Sequence, residues 1–62
     1  MPIVQIDFKE GRPLETKRKL VKELTDVFVN TMNVKADNVQ IIIHEFTAEN
    51  YSRGGVLNVD KK

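Results

Sequence analysis

The sequence predicts an α/β fold: a β-α-β subunit with two parallel strands, one long crossover helix and a short C-terminal hairpin, completed by oligomerisation. Three observations predict it. Two segments rich in β-branched residues flank a long amphipathic one, the chain has only 62 residues, and it contains no Cys. A domain of this size buries about 60% of its unfolded surface, so it needs disulfides, a metal or further subunits. With no Cys and a single His, further subunits are the remaining route.

The first predicted strand runs from Ile3 to Phe8. Within it Val4, Ile6 and Phe8 alternate with Gln5 and Asp7, and a period of two is typical of a strand. Its β-branched residues fit the same conformation.

A helix is predicted from Pro13 to Met32. Proline is favoured at the first helical position because its missing N–H is not needed there. Apolar residues recur at helical spacing on one side, and charged residues fill the other. Among the charged residues, Lys22 and Asp26 have the i,i+4 spacing of an ion pair. At ~1.5 Å per residue the helix is roughly 30 Å long, which returns the chain to the end where the first strand began.

The second strand is predicted from Val39 to Phe46, after a connecting loop at 33–38. Three consecutive Ile at 41–43 lack alternation, as expected for a strand covered on both faces. A strand, a helix and a strand in this order predict parallel neighbours, and two strands alone are not a stable sheet. We therefore expect a second copy to extend the sheet across a two-fold axis, with further copies covering its bare faces.

The composition excludes several classes of function. Ten basic and nine acidic side chains give a net charge of +1, without the uniform field of a nucleic-acid or membrane-surface protein. Nothing resembles a signal peptide or a transmembrane segment, nor a metal-ligand cluster or phosphate loop. His44 and Glu45 are adjacent on a strand and point to opposite faces, so they cannot share a ligand. We expect one domain over residues 1–62, cytoplasmic, whose partners are a small molecule and further copies of itself.

Pro2 is the residue with the clearest chemical potential. The initiator Met is readily removed before a small residue, and a freed Pro2 would be held at a sheet end because Ile3 starts the strand. Apolar surroundings disfavour a charged amine and lower its pKa. A base with a pKa near the operating pH removes a proton at one atom and returns it at another, which is tautomerase chemistry. Many chains also begin Met-Pro without any such role.

The chain resembles the 4-oxalocrotonate tautomerase family over essentially its whole length. The residues that carry the resemblance are Met1-Pro2-Ile3, Glu10-Gly11-Arg12, the Ile-rich second strand followed by Glu45, and the Tyr51…Gly54-Gly55 turn. The resemblance implies a β-α-β unit assembled as a hexamer of three dimers, with no metal or organic cofactor. It implies keto-enol tautomerisation of a small 2-oxo or 2-hydroxydienoic acid, with the N-terminal proline as general base.

The same resemblance implies roles for two further residues. Arg12 matches an Arg that binds a substrate carboxylate, and Tyr51 matches the aromatic wall of the site. Along an extended strand Pro2 and Arg12 lie about 25–30 Å apart, so Arg12 would come from a neighbouring subunit. An ordinary solvent-exposed Arg in a helix-entry loop and ordinary interface packing of Tyr51 are the alternatives. The Gly54-Gly55 pair is expected to supply positive φ angles to the turn.

Gln40 departs from the family pattern, which has a second Arg at this position. A neutral amide stabilises developing negative charge less well, at a cost on the order of a hundredfold in rate. Arg53 could supply the missing cation, although a solvated Arg is the simpler interpretation. Relatives that hydrate or dehalogenate unsaturated acids have an acidic residue at the position of Arg53, which disfavours that branch.

Two functional hypotheses follow from these residues. The first is a tautomerase for which monocarboxylic enols such as phenylenolpyruvate are candidate substrates. Efficient turnover of the dicarboxylic 2-hydroxymuconate is less expected, because Gln40 replaces an Arg. The second is a non-catalytic or ligand-binding oligomer of the same fold. It holds wherever Met1 stays attached, because the Pro2 nitrogen is then an amide.

Overall fold

The structure, a computed structural model that describes residues 1–61, has the predicted α/β architecture. In chain order its strands and helix are β1 (Ile3–Lys9), α1 (Leu14–Met32), β2 (Gln40–Phe46), β3 (Ser52–Arg53) and β4 (Val56–Leu57). Single 3-10 turns lie at Ala36–Asn38, Ala48–Asn50 and Asn58–Asp60. The order of elements and the C-terminal hairpin, in which β3 and β4 pair antiparallel, are confirmed.

Strands β1 and β2 pair in parallel over their whole length, from Ile3 opposite Gln40 to Lys9 opposite Phe46. Side chains alternate between half-buried and exposed along β1, as the sequence pattern predicted. The half-buried side of the sheet carries Val4, Ile6 and Phe8 of β1 and Ile41 and Ile43 of β2, and the Glu45 side chain lies on the same side. Glu45 accepts a hydrogen bond from Lys17 of α1 at 3.0 Å, which places the helix over this side.

Helix α1 begins at Leu14, one residue later than predicted. Pro13 has an extended ψ of 151° and acts as the N-cap, and its carbonyl accepts a hydrogen bond from the Thr16 N–H at 3.0 Å. At the other end Asn33 adopts the left-handed conformation, with φ 57°, and its N–H donates to the Val29 carbonyl. As in α1, none of the helical segments in residues 1–61 combines the length and apolar composition needed to cross a bilayer. The cytoplasmic location stays a prediction.

The described part of the chain lacks an enclosed core. None of residues 1–61 is fully buried, and on the sheet side away from α1 Ile3 and Ile42 remain 59% and 43% exposed. We call this side, which carries Ile3, Gln5, Asp7, Ile42 and His44, the bare face. The radius of gyration is 15.1 Å, against about 11 Å for a compact domain of this length. The subunit therefore leaves apolar surface uncovered that an isolated domain would bury.

Candidate active site

The predicted site residues lie at opposite ends of the β1–β2 sheet. Both strands start at one end, which we call the amino end, and both finish at the other, the carboxyl end. Pro2 and Gln40 lie at the amino end, where the Gln40 N–H donates to the Pro2 carbonyl at 3.0 Å. Arg12 and Tyr51 follow the last residues of β1 and β2. The seven residues of β1 separate the two ends by about 23 Å.

At the amino end, Pro2 is half-buried and its carbonyl is held by β2, while Met1 is 79% exposed. With Met1 attached, the lone pair of the Pro2 nitrogen is delocalised into the peptide bond. The nitrogen is then not a base. Removal of Met1 would convert it to a secondary amine at a fixed position, because the hydrogen bond to Gln40 anchors the same residue.

At the carboxyl end, Arg12 is exposed but held by its own chain. Its Nη1 donates to the Lys9 carbonyl at 2.9 Å, and its guanidinium carbon lies 5.1 Å from the centre of the Phe8 ring. The turn that folds Arg12 back over β1 passes through Gly11, whose φ of 115° is unfavourable for any residue with a Cβ. The adjacent Glu10 N–H donates to the Phe46 carbonyl at 2.9 Å, which ties this turn to the end of β2.

Tyr51 also lies at the carboxyl end. Its ring packs on Phe46 with the ring centres 5.0 Å apart and the planes inclined by 32°, a geometry that aromatic pairs favour. The Tyr51 carbonyl accepts a hydrogen bond from the Asn58 N–H at 2.7 Å. The residue is therefore fixed by both its side chain and its backbone.

Arg53 lies in β3, opposite Val56, directly before the turn. Gly54 and Gly55 have φ angles of 60° and 82°, which confirms the predicted positive-φ turn. The Arg53 side chain is exposed, and none of the ion pairs within residues 1–61 engages it.

One subunit thus holds two separate half-sites. Pro2 and Gln40 lie at the amino end, and Arg12, Tyr51 and the hairpin of Arg53 follow the strand ends at the carboxyl end. Two aromatic residues of the carboxyl end, Phe8 beside Arg12 and Phe46 beside Tyr51, were not predicted from the sequence to support the site. Their alternation placed them in strands, but nothing in the pattern indicated that each would support a site residue from another segment.

His44 and Glu45 diverge, as the sequence predicted. His44 lies on the bare face with its Nδ1 3.5 Å from Oδ1 of Asp7, while Glu45 is engaged by Lys17 on the helix side. Within the described part of the chain, no group of three or more His, Cys, Asp or Glu side chains is arranged to hold a metal ion.

Comparison with known proteins identifies the family by sequence. The family model described as "Tautomerase enzyme" matches residues 2–61. A probable tautomerase of Lactiplantibacillus plantarum is 39% identical over 62 residues, covering 100% of this chain and 97% of that protein. A probable tautomerase of Listeria innocua is 38% identical over 60 residues, covering 97% of this chain and 98% of that protein.

Solved structures agree with this assignment. A crystal structure of a 4-oxalocrotonate tautomerase homologue superposes with a TM-score of 0.92 at 34% identity, covering 100% of this chain and 98% of the other. A heterohexameric 4-oxalocrotonate tautomerase from Chloroflexus aurantiacus J-10-fl has a TM-score of 0.87 at 26% identity, with both chains covered completely. The family match, the sequence relatives and these structures lead to one conclusion: the chain belongs to the tautomerase family.

Proposed function

We propose that the protein is an isomerase that interconverts the enol and keto forms of a small 2-oxo or 2-hydroxydienoic acid, with Pro2 as general base after removal of Met1. The observation that carries this proposal, beside family membership, is the hydrogen bond from the Gln40 N–H to the Pro2 carbonyl at 3.0 Å. Proline has no freely rotating side chain, so this backbone contact, together with the pairing of Ile3 in β1, restricts the position of the ring nitrogen.

In the proposed reaction, the uncharged ring nitrogen takes the proton of the enol hydroxyl group. The O–H electrons form the carbonyl, and the electrons of the carbon–carbon double bond take a proton back from the ring nitrogen. The amine thus ends each cycle as it began, uncharged, and no atom is lost or gained. Such a relay needs an amine that is largely uncharged at the working pH, which apolar walls around it favour by lowering its pKa.

We further propose that the complete site forms between subunits of a homo-oligomer, with a hexamer as the favoured assembly. The sheet has two strands, so both are edge strands whose outer N–H and C=O groups are open to pairing. A two-fold-related copy that runs antiparallel brings the carboxyl end of one subunit to the amino end of the other. Arg12 of that copy would then bind the carboxylate of a substrate placed at Pro2. The six-chain assembly of the Chloroflexus aurantiacus relative supports the number.

In this arrangement Tyr51, fixed on Phe46, forms a wall of the site. Gln40 polarises the substrate carbonyl less strongly than an Arg would. The exposed Arg53 is available as a second cation near the carboxyl end. In this scheme Arg12 binds one carboxylate, and Gln40 stands where the family has a second Arg. Monocarboxylic enols such as phenylenolpyruvate are therefore the proposed substrates, ahead of dicarboxylic dienols.

The decisive experiment compares the processed protein with the same sequence carrying Met1, since removal of this one residue converts the Pro2 amide to a basic amine. Intact mass identifies each form. The processed protein should convert phenylenolpyruvate to its keto form, and the Met1-bearing protein should be slower by about 10²–10⁴-fold, the usual contribution of a general base. Pro2→Ala in the processed form should also lose activity. An unchanged rate in either comparison would sink the mechanism.

The second candidate function is an assembly or ligand-binding role without catalysis. It holds if Met1 stays attached, because the Pro2 nitrogen is then an amide. If intact mass shows that cells retain Met1, this candidate replaces the isomerase.

A further inference from the structure

The Arg12 side chain is positioned before any substrate arrives. Its Nη1 is bonded to the Lys9 carbonyl at 2.9 Å, and its guanidinium carbon lies 5.1 Å from the centre of the Phe8 ring. None of the ion pairs within residues 1–61 involves Arg12. The cation is therefore fixed in place but not neutralised.

The carboxylate of β2 on the same side of the sheet as Phe8 is engaged by a different cation. Glu45 lies opposite Phe8 in the β1–β2 register, so it is the acidic group of β2 on the same side of the sheet. Its Oε1 accepts a hydrogen bond from Lys17 at 3.0 Å. The side chains of this pair are largely shielded from solvent, with exposed fractions of 26% for Lys17 and 31% for Glu45. With Glu45 engaged, the support of Arg12 comes from a carbonyl and an aromatic ring.

This form of support suits carboxylate binding. A cation within about 6 Å of an aromatic ring centre is attracted to the ring face, and this attraction uses none of the N–H donors of the guanidinium. The Lys9 carbonyl takes one of the five donors, so that the others stay available for a bidentate contact with a carboxylate. A long side chain that is already held loses less rotamer freedom on binding.

We infer that Phe8 is a positioning residue for Arg12, and that its ring is a determinant of affinity for carboxylate substrates. The inference rests on the proposed function, in which Arg12 of a neighbouring subunit binds the substrate carboxylate. The ring acts through Arg12 and does not touch the reacting atoms. Its loss should weaken binding and leave the chemical step unchanged.

The test replaces Phe8 in the processed protein and measures KM and kcat for phenylenolpyruvate. Phe8→Leu keeps an apolar side chain but removes the ring face, and it should raise KM about two- to fivefold, the range expected for an exposed cation–π contact. The kcat should change by less. Phe8→Tyr, which keeps the ring, should restore the KM of the unmodified protein. Phe8→Met serves in place of Phe8→Leu if light scattering shows that the Leu variant does not assemble.

Two further comparisons separate a role through Arg12 from a merely structural one. In an Arg12→Ala background, Phe8→Leu should raise KM no further. With the methyl ester of the same enol, which lacks the carboxylate charge, Phe8→Leu should have no effect on KM. An equal rise for acid and ester, or a rise that persists without Arg12, would overturn the inference.

The failure of this inference is distinct from the failure of the proposed function. If Arg12→Ala raises KM for the acid but Phe8→Leu does not, the ring has no positioning role and Arg12 keeps its own. If Arg12→Ala leaves KM unchanged, the carboxylate-binding role of Arg12 fails, and the role of Phe8 fails with it.

Discussion

The two ends of the β1–β2 sheet differ in how much of their geometry a single subunit determines. At the carboxyl end Arg12 rests on Phe8, and Tyr51 packs on Phe46. At the amino end one backbone hydrogen bond holds Pro2, and the neighbouring Met1 and Ile3 side chains are mostly exposed. Arg12 and Tyr51 are thus each held by contacts within one chain, whereas the proposed base lacks apolar neighbours that would exclude water from it.

The difference follows from the parallel topology. Both strands finish at the carboxyl end, so the two segments that leave them, the turn before α1 and the segment leading to the hairpin, start side by side there. These segments carry Arg12 and Tyr51. The amino end receives only the start of the chain and the return from α1. In this parallel pair the contacts between side chains of different segments therefore lie at the carboxyl end, and the amino end needs other subunits to cover it.

The largest predicted effect tests whether further copies cover the bare face. Ile42 is 43% exposed on the bare face, and Ile42→Asp would place a carboxylate where we propose that other subunits pack. Burying an unpaired charge costs several kcal/mol, so the dissociation constant of the assembly should rise by more than roughly a hundredfold. Light scattering over a range of protein concentrations measures this change, and activity should fall with assembly.

Ile42→Val is the matched control, since it removes one methylene and adds no charge. It should assemble as the unmodified protein does. If the Asp variant assembles equally well, the bare face remains open to solvent, and the assembly uses the strand edges or another surface. A monomeric unmodified protein at micromolar concentration would contradict the shared site altogether.

A second prediction adds charge to the amino end. Gln40→Arg should increase turnover of dicarboxylic 2-hydroxymuconate on the order of a hundredfold, because a charged donor stabilises developing negative charge better than an amide. Turnover of monocarboxylic phenylenolpyruvate should rise less. Gln40→Met, similar in length and uncharged, controls for side-chain volume. Equal rates in the Arg variant and the unmodified protein would mean that position 40 does not face the substrate.

A third prediction concerns which subunit provides each end. Pro2→Ala and Arg12→Ala are each expected to be poorly active. If the two residues of one site come from different subunits, an assembly refolded from equal amounts of both variants contains some sites with both native residues. Random mixing restores about a quarter of the sites. Activity near that level would support the shared site, and no recovery would contradict it.

The elements that could be predicted from the sequence are those that one short-range pattern decides. The alternation in β1, the helical period of α1 and the Gly54-Gly55 turn predicted elements that the structure confirms, with Pro13 displaced by one position because it caps the helix in an extended conformation. The separation of Pro2 from Arg12 also followed from strand length alone. These features depend on neighbours in sequence.

The side-chain contacts at the carboxyl end could not be predicted from the sequence. The packing of Tyr51 on Phe46 and of Arg12 on Phe8 depends on the path of two connecting segments. The path near Arg12 passes through a positive φ at Gly11. A glycine permits that angle without requiring it. Side-chain partners across such turns therefore emerge only from the three-dimensional structure.

The smallest predicted effect concerns the exposed side of α1, which belongs to neither end. Lys22 Nζ lies 2.8 Å from Oδ2 of Asp26, and this hydrogen bond, together with the negative charge of Asp26, raises the pKa of Lys22 above its ordinary 10.5. A raised pKa in the folded state means that the stabilisation is present below pH 10.5 and is lost as pH rises through the folded value.

Because both side chains are exposed, water and salt screen the pair, and Asp26→Asn should barely change the urea midpoint at pH 7. Any difference from the unmodified protein should shrink further above pH 10.5 and in high salt. Neither KM nor kcat for phenylenolpyruvate should change, since Asp26 is remote in sequence from the segments that form both ends. A rise in KM comparable with that of Arg12→Ala would show that this side of the helix contributes to substrate binding, and the division of the molecule into two functional ends would then be incomplete.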